Sequence, residues 1–235
     1  MNYETISQLS NAFTVQDIMI TSTQLKRADT FENASKLFNE YDVVPFPRAG
    51  EIRGYFQRDI NKRNSILRSN LISNATSLFE LPHLLSKNYF FFILSANKIT
   101  GYIHYSDLNN MIVKIPFFAM FQAVERRLWD QIKFRIKESD LIRLFEPNEV
   151  KKFINKKERA IRQNVDVYWT GVFSFPYILK LSRYYGLIQL TDNEIKLLKD
   201  VRNLVAHSDC NLVSQYRNVD ELSDACDLFK TIIRS

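Results

Sequence analysis

Histidine is scarce in this chain. There are three, His83, His104 and His207, in 235 residues. Glycine is nearly as rare, with five, and neither G-x-G-x-x-G nor G-x-x-x-x-G-K-[ST] occurs. The glycine-rich phosphate loops of Rossmann and P-loop proteins are therefore excluded. The two cysteines, Cys210 and Cys226, are too few for a disulfide framework or a cysteine metal cluster. Both are expected to be small buried apolar residues in a reducing cytoplasm. No Asp/Glu/His set is clustered as a catalytic metal site needs, so no metal is expected. No apolar run approaches the roughly 18 residues of a membrane span. The longest, Tyr89 to Leu94, is strand-sized. The opening MNYETISQLSN lacks the basic start and apolar stretch of a signal peptide, which again predicts a cytoplasmic protein.

What is present is globular material, 46% hydrophobic and 25% charged, enough for two small domains. The net charge of +6 is uneven. Residues 1–113 carry 11 Lys/Arg against 10 Asp/Glu, and residues 114–235 carry 21 against 16. A basic second half suits an acidic partner such as RNA or DNA. Solvated lysines account for the same excess.

The first half contains a repeat. EIRGYFQRDIN at 51–61 and KITGYIHYSDLN at 98–109 share I-x-G-Y, then an aspartate, an aliphatic residue and an asparagine. The offset is 47 residues at the glycine and 48 at the aspartate, so the second copy has one extra residue in its turn. Each copy is preceded by a helix signal: Asp29 with Glu32 before FENASKLFNEY, and Ser77 with Glu80 before LFELPHLLS, both spaced as capping boxes. Each helix leads to a strand, VVPF at 43–46 and YFFFIL at 89–94. A β-α-β-β unit of this size cannot cover its own apolar faces, so the two copies are predicted to pack together.

This repeat resembles the CBS domain, which occurs in tandem pairs. VQDIM at 15–19 is similar to the family's opening segment, and GYIHYSD at 101–107 keeps the glycine-to-aspartate spacing of its G-h-h-[ST]-x-x-D signature, with His104 in the hydroxyl position. GYFQRD at 54–59 is one residue short, with Gln57 in that position. The resemblance covers roughly residues 1–113. It implies an adenine nucleotide held between the repeats as a regulatory ligand, with Asp107, and Asp59 by weaker correspondence, on the ribose hydroxyls. A helix cap is the other role open to both aspartates.

From residue 114 the pattern is helical throughout. IPFFAMFQAVERRLWDQIKFRI places Phe117, Met120, Phe121, Val124, Leu128 and Trp129 on one stripe. Pro147 opens EPNEVKKFINKKERAIRQN, and Pro176 lies near the start of a helix that Gly186 ends. Thr191 with Glu194, and Asn218 with Glu221, mark two further helix starts. The fold class is therefore α+β: a repeat module over 1–113 and a five-helix bundle over 114–235.

Chemistry concentrates at Arg202-Asn203-Leu204-Val205-Ala206-His207. An imidazole exchanges protons near neutral pH, and a guanidinium holds two phosphate oxygens at once. Asn203 and His207, four apart, share a helix face. Arg202 lies about 140° from His207 around an ideal helix, so convergence needs its long side chain or a helix that ends at His207. With 16 arginines in the chain the spacing alone arises easily by chance. The capped amphipathic helix and the asparagine directly after the arginine set this instance apart.

These features resemble the HEPN superfamily, marked by R-x(4–6)-H with a polar residue after the arginine. Arg202, Asn203 and His207 match that mark, and Glu125 in AVERRL stands where many members carry an acid. The likeness covers about residues 114–235. It implies a metal-independent endoribonuclease of a toxin, defence or RNA-processing kind, acting as a homodimer. The adenylylated toxins continue H-x-Y, whereas this chain continues His207-Ser208-Asp209, so that form of regulation is not implied. A helix-terminal histidine on the last carbonyls, and an arginine paired with Asp200 or Asp209, are the structural alternatives.

Lys151, Lys152, Lys156, Lys157, Arg159 and Arg162 form a basic run suited to RNA phosphates or simply to solvent. Trp169 and Tyr168 could stack on a base or sit in the core, the core being the expected place. The sequence thus predicts a nucleotide-regulated ribonuclease, with a catalytically silent nucleotide- and RNA- or protein-binding scaffold as the alternative. The helical half holds one histidine, His207, so a second imidazole for acid–base catalysis must come from a second copy of the chain.

Overall fold

A computed structural model describes residues 8, 12–58, 60–163, 169, 171–215 and 218–234. Its order is β1 (Ile20–Thr21), α1 (Phe31–Ser35), β2 (Val43–Phe46), β3 (Gly54–Gln57), β4 (Ile60–Ser65), β5 (Leu71–Ser73), α2 (Leu81–Leu85), β6 (Phe90–Ser95) and β7 (Lys98–His104). Helices follow: α3 (Met111–Ile132), α4 (Glu138–Leu144), α5 (Pro147–Arg162), α6 (Phe175–Tyr184), α7 (Asp192–Ala206) and α8 (Asn218–Arg234). The protein is α+β, with its strands in the first half and a helical second half. Two compact units result. One takes in residues 12–116 and 211–223, the other 117–210 and 224–234. The divide falls inside α3, after Pro116, and inside α8, after Ser223.

The α+β unit has two sheets, one ordered β1-β7-β6-β5 and the other β2-β3-β4. Alternation along the strands sorts their side chains. Val43 and Tyr55 join Phe90, Phe92 and Tyr102 in one buried cluster, while Val44 and Phe56 join Ala28, Ala34 and Phe38 in another. The first cluster contains the tyrosine of each I-x-G-Y copy, so the two repeats do pack together. Tyr55 stands 5.3 Å from Phe90 edge-on, and Tyr102 stacks on Phe90 at 5.8 Å. Each fully buried ring contributes roughly 1.5–3 kcal/mol. The start of α8 belongs to this unit. Asn109 and Val213 exchange two hydrogen bonds of 2.8 and 2.9 Å, and His83 Nδ1 lies 3.4 Å from the Ser223 hydroxyl.

Two helix starts differ from the sequence expectation. Thr30, not Asp29, caps α1, its hydroxyl accepting from the Asn33 N–H at 3.3 Å. Asp29 is drawn away to accept from the Arg48 N–H at 2.9 Å. Ser77 does not cap α2. Its hydroxyl accepts from the N–H of Phe79, two residues on, and α2 starts later because Pro82 suits only a first turn. Both helices are short, five residues each.

In the helical unit all six residues of the expected α3 stripe are buried. Phe121 meets Phe229 edge-on at 4.4 Å and Phe175 at 5.5 Å. α5 begins at Pro147 as expected. α6 ends in a Schellman motif: Gly186, at φ +72°, donates to the Arg183 carbonyl, and Leu187 donates to that of Ser182. A sixth helix, α4, was not anticipated. It is seven residues long, and the Asp140 carboxylate accepts from the Lys137 N–H at its start.

Candidate functional site

α7 carries the Arg202–His207 motif, and its limits are set by local chemistry. Thr191 and Glu194 form the expected capping box: Glu194 N–H donates to the Thr191 hydroxyl at 3.2 Å, and the Glu194 carboxylate accepts from the Thr191 N–H at 2.6 Å. The Thr191 N–H and hydroxyl hold that carboxyl below its ordinary value. Ile195, Leu198, Val201 and Val205 bury one face. The helix stops at Ala206. His207 is the cap residue, with extended ψ of 120°, and its N–H makes a last bond to the Asn203 carbonyl at 3.2 Å. The chain therefore leaves the helix at the histidine, the condition that convergence with Arg202 requires.

Asn203 and His207 are exposed at this terminus, and Arg202 is half-buried on its flank. The Arg202 charge reaches Glu125 on α3. Burial pushes the Glu125 carboxyl up, and Arg202 pulls it back. Glu125 also lines a cleft of about 180 Å³ with Gln122, Trp129, Phe173 and Ile178. Arg202, flanked by this half-buried carboxylate, and the exposed Asn203–His207 pair thus occupy one helix end.

A second cleft, about 420 Å³, opens beside the first turns of the same helix. It is lined by Lys180, Lys196 and Lys199, together with Tyr177, Glu149 and Asp192. Sequence reasoning passed over these lysines. Their signal was available in the i, i+3, i+7 spacing of Lys196, Lys199 and Asn203 on one face.

The basic run of α5 is divided. Lys151, Lys152, Lys156 and Arg159 are exposed. Arg162 pairs with Glu158 at 3.3 Å, and the Lys157 ammonium lies 4.0 Å from the Trp169 ring centre. Trp169 is 4% exposed and stacks on Phe173, so it cannot stack on a base. Tyr168 lies outside the described residues.

Of the two aspartates expected on a ribose, Asp59 lies outside the described residues. Asp107 sits in a short 3-10 turn, Tyr105–Asn109, and its Oδ2 accepts from the His104 N–H at 2.8 Å. Burial pushes its carboxyl up to about 6, against the pull of that N–H. His104 completes the cap from the other side. Its Nδ1 accepts from the Ser106 N–H at 3.3 Å, the role a hydroxyl would fill. His104 Nε2 lies 3.4 Å from Asp42, out of line for a hydrogen bond, and Asp42 pairs with Arg58 at 3.1 Å. Burial lowers the His104 pKa, with Asp42 opposing.

Among the described residues no group of three or more His, Cys, Asp or Glu could hold a metal ion, and no helix is long and apolar enough to cross a membrane. In comparisons with known proteins, no family model, no curated protein and no solved structure matches this chain.

Proposed function

We propose that this protein is an endoribonuclease of the HEPN kind whose α+β unit, a CBS-like pair, binds an adenine nucleotide as regulator. The observation that carries the reading is the end of α7. Asn203 and His207 stand exposed there, and the half-buried Arg202 is flanked by Glu125. In the mechanism, a ribose 2′-oxygen attacks the adjacent phosphorus and the 5′-oxygen leaves. His207 accepts the 2′-hydroxyl proton, and His207 of a second copy gives a proton to the leaving oxygen. Arg202 neutralises the charge building on the phosphoryl oxygens, Asn203 holds one of them, and Glu125 orients the guanidinium. The products are a 2′,3′-cyclic phosphate and a 5′-hydroxyl. These side chains need no divalent ion.

The test is incubation of purified protein with end-labelled RNA, with and without EDTA. Wild type should cleave in both and leave cyclic phosphate ends. Arg202→Ala and His207→Ala should each lose about 100-fold or more. Activity abolished by EDTA and restored by Mg²⁺ would overturn the mechanism. The half-burial of Arg202 beside Glu125 favours one second reading, a catalytically silent scaffold in which the pair is structural. In that case RNA is bound, if at all, without being cut.

A further inference from the structure

We propose that the cleft lined by Lys180, Lys196 and Lys199 is a track for the backbone of single-stranded RNA, leading along α7 to His207. The proposal rests on the ribonuclease reading for its end point and on separate observations for its course. The cleft is about 420 Å³ and lies wholly within the helical unit. Its two acids are engaged: Asp192 by Arg183 at 2.8 Å, and Glu149 by the Tyr177 hydroxyl at 2.7 Å. Among the described residues the three lysines have no ion-pair partner. Lys196 and Lys199 are exposed, and Lys180 is half-buried across from them.

Helix geometry gives the track its direction. At 100° per residue Lys196, Lys199 and Asn203 fall within an arc of about 60°, and His207 follows one turn later. The rise from Lys196 to His207 is about 17 Å, room for a short run of nucleotides. A polymer with a charge on every unit fits a row of ammonium groups ending at an imidazole and an amide. Lysines meet such a backbone as point charges, without reading sequence. The basic run of α5 lacks this arrangement. Lys157 lies over Trp169, Arg162 is held by Glu158, and Lys151 borders an apolar groove with Ile142, Phe145 and Ile154.

The experiment measures binding apart from cleavage. Full-length His207→Ala protein is the parent, titrated into a fluorescently labelled single-stranded RNA oligonucleotide and read by anisotropy across a salt series. Adding Lys196→Glu and Lys199→Glu should weaken binding about 10-fold or more. The milder pair Lys196→Gln and Lys199→Gln should reduce the salt slope by about 0.7 per lost phosphate contact. Lys151→Glu with Lys152→Glu on α5 should change affinity less than about 2-fold, as solvated phosphate-free positions do. The track is overturned if the cleft variants bind like the parent, if the α5 variants lose as much, if the parent binds no RNA, or if double-stranded DNA binds equally well. Wild type that binds in this pattern without cutting removes the ribonuclease reading and leaves the track. Wild type that cuts while the cleft variants bind normally removes only the track.

Discussion

Gly54-Tyr55 and Gly101-Tyr102 begin alike and end differently. Both glycines lie in strands, and both tyrosines enter one aromatic cluster. After Gln57 the chain turns back, Arg58 donating to the Asp42 carbonyl, and returns as β4 beside β3. After His104 it closes a capped 3-10 turn and runs on towards α3. One extra residue in the second copy separates these outcomes. It sets Asp107 three residues beyond His104, where the carboxylate can reach back to the His104 N–H. The shared motif therefore specifies the strand and its buried tyrosine, while the next few side chains choose between hairpin and helix.

The largest expected effect tests the shared part. A Cβ at Gly54 would collide with the Phe46 ring and the Asn64 carbonyl oxygen, on either side of a middle strand. A Cβ at Gly101 would meet the Met19 sulfur at 2.7 Å and the Ile20 carbonyl oxygen at 3.0 Å. A thioether swings aside more readily than a backbone oxygen. Gly54→Ala should cost about 3 kcal/mol and Gly101→Ala about 1–2 kcal/mol, read from urea midpoints. Equal losses would mean that the two copies are equally constrained.

The strands were legible because period-2 apolar runs and I-x-G-Y both point to them. VVPF is β2 residue for residue, and YFFFIL is β6 to within one residue. Thr191-x-x-Glu194, Pro147 and Gly186 fixed helix ends because each acts on its own backbone. The caps at Asp29 and Ser77 were misread because a distant N–H, that of Arg48, and a near one, that of Phe79, compete for those oxygens. α4 is too short to show a period. At the candidate site the motif and its helix end were legible. The lysine cleft was not, because Lys180 comes from another helix and no local pattern joins it to Lys196.

A middle-sized effect tests the part that differs. Burial raises the Asp107 carboxyl from 3.8 to about 6. Below 3.8 both folded and unfolded chains hold the proton, and the burial penalty is absent. As pH rises towards 6 the unfolded chain releases it first, so stability falls across that window and stays lower above it. Asp107→Asn keeps an acceptor for the His104 N–H and removes the charge. Relative to wild type it should gain about 1–2 kcal/mol between pH 4 and pH 7, after discount for partial exposure. A difference that does not grow with pH would mean that the carboxylate is not desolvated.

The smallest effect has the opposite sign and comes from His104, which stands where the first copy has Gln57. Burial lowers its pKa below the ordinary 6.5, and Asp42, 3.4 Å away, only partly restores it. Above 6.5 both states are neutral and burial costs nothing through titration. As pH falls through 6.5 the unfolded chain takes up a proton that the folded chain resists, so stability is lost on acidification towards the folded value. His104→Gln imports the first copy's residue, offers an amide oxygen to the Ser106 N–H, and removes this titration. Its stability relative to wild type should therefore rise as pH drops from 7.5 to 5, in urea melts at each pH. Asp42→Asn should move wild type the other way. Without the carboxylate the imidazole is harder still to charge, and the acid loss steepens. If Asp42→Asn flattened the profile instead, Asp42 would not be the group that sustains the charged imidazole.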